Sequence, residues 1–358
     1  MSKTLLYDRH VALGAKMTSF AGWEMPVFYS GIIKEHFTVR QGVGLFDISH
    51  MGMVKVEGEE AERFLNFLST NQIAGKPNGA AIYTGWCQED GGCVDDVMIY
   101  KRNPTSFFVI VNASNRQQDL DHMRQYGSAY QVEIQDCYAD QGILALQGPL
   151  AETLLATLIP EVKILKPMRF LEVKEPSLII SRTGYTGAGG FELYAHQAII
   201  AEWWDRLLQA GAAFGIAPVG LGARDTLRLE MGYALYGHEI SSTITPIESV
   251  AAWTVKLDKA HFLGKQALEE LEKKGTKRHA YGMRLMDPGI AREGSLIFKN
   301  GQQIGRVTSG SFSPTLNQAI ALIVVETPLE IGEEIEVEIR QHRNRAQIVP
   351  IPFIRKTL

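Results

Sequence analysis

Apolar residues recur along this chain in two rhythms. In "AERFLNFL" they fall at Ala61, Phe64, Leu65 and Leu68, one face of a helix. The run is preceded by Gly58 and, before that, by the strand-like "MVKV". About 90 residues later the pattern returns: "GILAL" leads to Gly148 and "PLAETLLATL". Both copies place Ala three residues after the glycine, Glu four after, and apolar residues six, seven and ten after. Pro149 is expected in the first turn of the second helix, where its missing N–H costs nothing. A strand-then-helix unit is thus predicted twice. A third is read in "SLIISRTGYTGAGGFELYA", strand, Gly-rich turn and strand, followed by the helix "AIIAEWWDRLLQAG" with Gly211 as its C-cap. A fourth is "FFVIVNASNRQQDLDHMRQYG", a strand breaking at Asn112 into a helix that ends at Gly127. Short strands returning after single helices predict α+β layers with largely antiparallel sheets.

Past "GKQALEELEKKG", a helix with Glu269/Lys273 and Glu270/Lys274 on its solvated side, the rhythm changes. "SLIFKNGQQIGRVTSG" reads as a hairpin turning at Asn300-Gly301. "EIEVEIR" alternates, so Ile335, Val337 and Ile339 face a core. No long helix fits beyond residue 280. The expected division is residues 1–277 and a small all-β domain over 278–358.

Composition narrows the partners. The chain has 358 residues, 45% hydrophobic and 21% charged, with net charge −4. Lysines and arginines are dispersed, so no basic stripe points to nucleic acid. No apolar run reaches the ~20 residues of a membrane helix, and the N-terminus lacks an apolar signal core. Three cysteines without CxxC spacing, Cys87, Cys93 and Cys137, fit reduced thiols in a cytoplasmic protein. The histidines lack metal-binding spacing. Small molecules or proteins are the expected partners.

Four stretches could carry chemistry. "GGCVDDVMIY" sets Asp95 and Asp96 side by side in an apolar strand. Neighbouring strand residues face opposite ways, so the two acids occupy different environments. Val94, Asp96, Met98 and Tyr100 are expected on one face, Cys93, Asp95, Val97 and Ile99 on the other. Either one acid is at the surface and one caps the strand, or one is a catalytic or binding acid; alternation does not choose. "GYTGAGGFE" is either a plain turn or a backbone approach to a ligand, with Glu192 beyond it. In "GLGARDTLRLEMGYALYGHE", Arg224 and Arg228 are one helical turn apart. They could clamp a carboxylate, hold a buried acid, or bridge surface acids such as Asp225. His50 in "FDISHMG" is structural or functional. "DKA" at Asp258–Ala260 is similar to a lipoylated tripeptide, but it leads into a helix rather than a hairpin tip.

Together "FAGWEMPVFY", "RQGVGLFDISHMG", "GGCVDDVMIY", "SRTGYTGAGGFE", "GLGARDTLRLEMGYALYGHE", "TPIES" and "GRVTSGSFSPTLNQAIAL" resemble, in order, the motifs of the glycine cleavage T-protein family. The resemblance covers about residues 4 to 355. It implies an α+β, three-domain cloverleaf with two interleaved folate-binding domains and a C-terminal β-barrel. It implies a tetrahydrofolate-dependent aminomethyltransferase that needs no metal. The methylene of an aminomethyl group on the lipoylated H protein would pass to tetrahydrofolate, giving 5,10-methylenetetrahydrofolate, ammonia and dihydrolipoyl H protein.

Carried over by position, the resemblance makes Asp96 the catalytic acid and Asp95 its structural partner. Glu192 and Arg224 become substrate-binding residues, and Met51, Tyr83, Tyr100, Asn112 and Tyr185 line the site. Two departures stand out. The usual acidic pair of the Gly-rich turn, TGEDG, is Ala188-Gly189 here, removing charge near the site entrance. Relatives often extend further at the C-terminus and supply a site residue there; Arg355 is the candidate substitute. Two other functions keep the folate pocket. One is a demethylase acting on a small methylated compound. The other is a non-catalytic protein of iron–sulfur cluster maintenance, whose Cys-containing signature is missing from "RTGYTGAGGFE".

Overall fold

The computed structural model describes residues 1–175 and 177–355. Two sheets form the larger part. A five-stranded sheet has the order Ala80–Cys87, Cys93–Asn103, Ser106–Val111, Gly52–Glu57, Glu133–Asp136. A six-stranded sheet runs Phe170–Val173, Leu178–Ser181, Gly190–His196, Gln141–Gln147, Gly44–Asp47, Ala217–Pro218. Gly44–Asp47 precedes the first sheet in sequence yet pairs with Gln141–Gln147, which follows it. The two α+β halves are therefore interleaved. From His279 onward the chain closes a six-stranded barrel. A short three-stranded sheet near the N-terminus completes the set. Architecture and resemblance agree on the α+β class.

The repeated unit is real in three dimensions. Ala61–Leu68 and Ala151–Leu158 are helices, each following a strand of a different sheet. Ala61, Phe64, Leu65 and Leu68 are buried, as are Ala151, Leu154 and Leu155. Gly58 and Gly148 both have positive φ, and a Cβ there would meet backbone at 2.1 and 2.3 Å. Only glycine allows so close a crossing before each helix. Pro149, in contrast, lies outside the helix, which begins at Ala151. Gly211 does end the Gln197–Ala210 helix, but with φ −80°; its role is to admit Ile216, whose Cγ2 would lie 2.5 Å from a Cβ.

The helix Arg116–Gly127 and the hairpin at Asn300-Gly301 also form where expected, the latter with both central residues at positive φ. Ile335 and Val337 are buried and Ile339 packs beside them. In Lys265–Lys274, Lys274 pairs with Glu270 while Glu269 pairs with Lys265 instead of Lys273. Lys259 is no modification site: it is buried, and its Nζ donates to the carbonyls of Asn66, Ser69 and Asn71 at 2.8, 2.6 and 2.8 Å. It caps the carbonyl end of the Ala61–Leu68 helix, as a cation does well. No helix of the described residues is long and apolar enough to cross a membrane.

The barrel is bolted to the helix Leu221–Glu230 by two buried carboxylates. Glu230 receives Arg40 Nη2 at 2.7 Å, Ser313 Oγ at 2.6 Å, and Thr315 N and Oγ1 at 3.1 and 2.9 Å. These donors, with His36, overcome the cost of burial and hold its carboxyl down to about 2. Arg228 meets Glu239 at 3.1 Å and Ser309 at 2.9 Å, and Thr308 Oγ1 donates to Glu239 at 2.6 Å. Ser309 and Ser313 belong to the barrel strand Gln302–Ser313, so both clusters cross the junction.

Glu230→Ala leaves Arg40 and His36 facing an uncompensated cavity. Denaturant unfolding is expected to show a loss of about 3–5 kcal/mol. Because folding lowers this pKa, the Glu230 contribution is present above the normal glutamate range and is lost as pH falls toward about 2. An unchanged midpoint in the variant would show that the junction does not depend on this carboxylate.

Candidate active site

The acid pair sits just past an irregularity in the Ala80–Cys87/Cys93–Asn103 hairpin. Trp86 pairs with Asp95 and Cys87 with Cys93, so Val94 is an extra, bulged residue. Bulges re-aim side chains, and they concentrate beside functional sites. The expected alternation holds from Asp95 to Tyr100 and breaks before it. Val94 joins the apolar cluster of Val97 and Ile99, away from Tyr100, and Cys93 packs with Ala234, Ile240 and Ala251.

Neither acid is at the surface. Asp95 is fully buried and Asp96 partly so. Asp96 Oδ2 accepts the Tyr83 hydroxyl at 2.8 Å, and Oδ1 accepts Asn112 Nδ2 at 3.1 Å. Asp95 accepts Asn112 Nδ2 at 2.8 Å, the Asn112 backbone N–H at 3.1 Å and Asn115 Nδ2 at 2.7 Å. Asn112 thus ties the two carboxylates together. It can do so because the strand Ser106–Val111 ends there and the chain turns toward the helix Arg116–Gly127. Burial and the adjacent Asp95 charge raise the Asp96 carboxyl to about 7. It is poised to hold or release a proton near neutrality.

The loop before Gly190–His196, the strand itself and the helix Leu221–Glu230 bring further aromatic and charged groups to the site. Tyr185 lies close enough for its phenol to feel the Asp96 charge, and Tyr83 feels Tyr185 in turn. Its ring stacks on Tyr233 at 5.7 Å, its hydroxyl donates to the Ala234 carbonyl, and the Arg224 guanidinium lies 4.7 Å over its face. Glu192 accepts Thr183 Oγ1 at 2.5 Å and Tyr194 OH at 2.8 Å, and its charge reaches Arg224. Tyr100 and Tyr194 share a 2.6 Å hydroxyl contact. Tyr100 is fully buried, stacked on Phe108 at 4.3 Å, so it supports the site from behind. Met51 is partly exposed and packs against the same cluster.

The expected residues therefore gather in three connected groups: Asp96, Tyr83 and Asn112; Tyr185 and Arg224; Glu192 and Tyr100. Arg228 also lies near enough to act on Tyr185, but its guanidinium is taken up by Glu239 and Asp225. Arg355 is exposed beyond the barrel. Three of the glycines of "GYTGAGGFE", Gly184, Gly187 and Gly190, serve protein packing, whereas Gly189 faces open space. A Cβ at Gly184 would fall 2.0 Å from Gln147 Oε1, and one at Gly190 2.2 Å from the Leu146 carbonyl. Ala188, expected near the entrance, is buried among Val219, Ala223 and Leu227, where a carboxylate would be desolvated.

Sequence reading passed over three groups. Trp253 is 60% exposed and lies 5.7 Å from the Tyr83 ring, marking the open side. Tyr194, two residues after Glu192 on the same strand face, was signalled only by that spacing. Asp119 lies behind Asp95, and no local pattern distinguishes it from a surface helix acid. His50 is buried and held down to about 4 by burial and Arg224, hence neutral, with Phe20 edge-on at 5.6 Å. Two cavities of about 310 and 120 Å³ lie away from Asp96; the larger borders Tyr194, Lys55, Arg102 and His196.

A partly buried acid whose carboxyl is raised to about 7, set where two interleaved α+β halves meet and flanked by stacked aromatics and an arginine, has the character of an enzyme site. Residues 6–259 match the GCVT N-terminal domain and residues 278–354 the glycine cleavage T-protein C-terminal barrel domain. The chain belongs to the glycine cleavage T-protein family. It is similar to an aminomethyltransferase of Pseudothermotoga lettingae, 42% identical over 99% of this chain and 98% of that one. One from Rubrobacter xylanophilus is 45% identical over 99% and 95%. The crystal structure of glycine cleavage system aminomethyltransferase T from Bartonella henselae superposes with a TM-score of 0.94 at 33% identity, covering 99% of this chain and 98% of that one.

Two substitutions are expected to move the Asp96 titration in opposite directions. Tyr83→Phe removes a donor to the carboxylate and shifts it above about 7; Asp95→Asn removes the neighbouring charge and shifts it below. Carbon-13 NMR of labelled aspartate reads both. Shifts of the same sign would contradict this account of the site.

Proposed function

We propose that the chain is a tetrahydrofolate-dependent aminomethyltransferase that takes its one-carbon unit from the lipoyl arm of an H protein. Full-length similarity to aminomethyltransferases supports the activity. The observation that carries the site assignment is Asp96: a partly buried carboxyl, positioned by Tyr83 and Asn112 and raised to about 7.

The chemistry asks for such a group. The donor carbon is bonded to sulfur and to an amino nitrogen. Both bonds break, and two bonds form to folate N5 and N10. The two displaced N–H protons leave with the thiol and with ammonia. Folate N10 is a weak nucleophile, and ring closure passes through an iminium-like cation. A fixed carboxylate stabilises that positive charge and can accept the proton lost. A second carboxylate, Glu192, accepts two parallel bonds from the pterin amino and N3–H edge. Arg224, Tyr83, Tyr185, Asn112 and Met51 line the substrate, with Tyr100 bracing Glu192 through Tyr194. Residues 1–277 form the folate-binding region and 278–358 the barrel domain, a division supported by the first barrel strand at His279–Leu285. The protein would meet folate and the lipoylated H protein in the cytoplasm.

Asp96→Asn is expected to fold and to lose methylene transfer by roughly 10²–10⁴-fold, with Asp95→Asn losing less. Wild-type turnover in Asp96→Asn rules the assignment out. Glu192→Ala should weaken tetrahydrofolate binding about tenfold or more in calorimetric titration, and an unchanged affinity removes Glu192 from pterin recognition. Assaying aminomethylated H protein against a small methyl donor separates this activity from a demethylase.

A further inference from the structure

Asp119 lies in the first turn of the helix Arg116–Gly127, directly behind the acid pair. It is fully buried, and neither carboxyl oxygen faces an N–H or O–H donor. Among the described residues, the group near enough to act on its carboxyl is another acid, Asp95. Two carboxylates cannot bond one another; a carboxylic acid and a carboxylate can. Burial raises the Asp95 carboxyl too, but three amide N–H groups from Asn112 and Asn115 point at it and work against that rise, so it is the better anion of the two.

We infer that Asp119 is a positioning residue of the reaction: it keeps a proton and donates it to Asp95, so that Asp95 remains an anion and holds Asn112 against Asp96. The inference rests on the proposed catalytic role of Asp96. Asp95 then receives four donors, about the full capacity of a carboxylate. The relay runs Asp119, Asp95, Asn112, Asp96, Tyr83, and each member is fixed by the one before it. The titratable groups around the pair are Asp96, Cys93 and Tyr236, all of which become anions on ionising. His122, one turn further on, instead faces Trp86 and Tyr126. Among the described residues, nothing there compensates a second negative charge. Burial and Asp95 accordingly raise the Asp119 carboxyl to about 11.

The test combines a spectrum with kinetics. At about pH 9, above Asp96 and below Asp119, the infrared difference between wild type and Asp119→Asn should contain the carbonyl band of one protonated carboxylic acid. Absence of that band overturns the proposal. Asp119→Ala is expected to lower kcat about tenfold or more, with KM for tetrahydrofolate changed less than about twofold. Asp119→Asn keeps a donor toward Asp95 and should recover kcat to within about threefold of wild type. Asn as damaging as Ala, or Ala as active as wild type, also overturns it. If Asp119→Ala does not fold, the infrared band and the Asn kinetics decide. Asp96→Asn is run in parallel: an inactive Asp96→Asn with unaffected Asp119 variants refutes only the relay, whereas an active one refutes the catalytic reading beneath it.

Discussion

Three carboxyl groups, Asp95, Asp96 and Asp119, share a small volume in which amides and hydroxyls are the partners. Like charges in a poorly solvated space cannot all ionise. The cost is relieved in graded fashion. The acid with the most N–H donors keeps its charge, the one with none keeps its proton, and the one with a tyrosine and an asparagine titrates near neutrality. The reactivity assigned to Asp96 is thus a property of its neighbours. Strand alternation sends the two acids to opposite faces, and the bulge at Val94 sets the register at which that alternation begins.

The barrel contributes to this site without reaching it. Its strand Gln302–Ser313 grips Arg228 and Glu230 on the helix that also carries Arg224. Each grip is a buried charge saturated with hydrogen bonds, strongly position-dependent because a displaced partner leaves an uncompensated ion. The helix is therefore held in rotation, and Arg224 is presented over Tyr185 while Arg228, one turn away, is consumed by structure. Two arginines on one helical face acquire different work from what lies across from them.

Much of the secondary structure was legible in the sequence. The duplicated glycine–helix unit, the helix ending at Gly127, the Asn300-Gly301 turn and the alternation of Ile335 and Val337 all depend on residues within a few positions of one another. The errors arose where long-range packing intervened. Gly184 and Gly190, which local pattern leaves open between a plain turn and an approach to a ligand, prove to be room for Gln147 and the Leu146 carbonyl. Ala188 read as an entrance residue and is core. Asp119 was invisible, since a helix acid facing solvent and one facing a buried carboxylate have the same local context.

By itself the sequence determined the rhythm of the elements, the change to all-β beyond Gly275, and, through its ordered motifs, the family and the acid pair. Those properties are written in neighbouring residues and survive without knowing what packs where. Tertiary structure alone decided which acid is saturated, which is poised and which retains its proton. That allocation depends on the donors each carboxyl meets across strand, turn and helix, because a buried charge is stabilised only by groups brought to it in space.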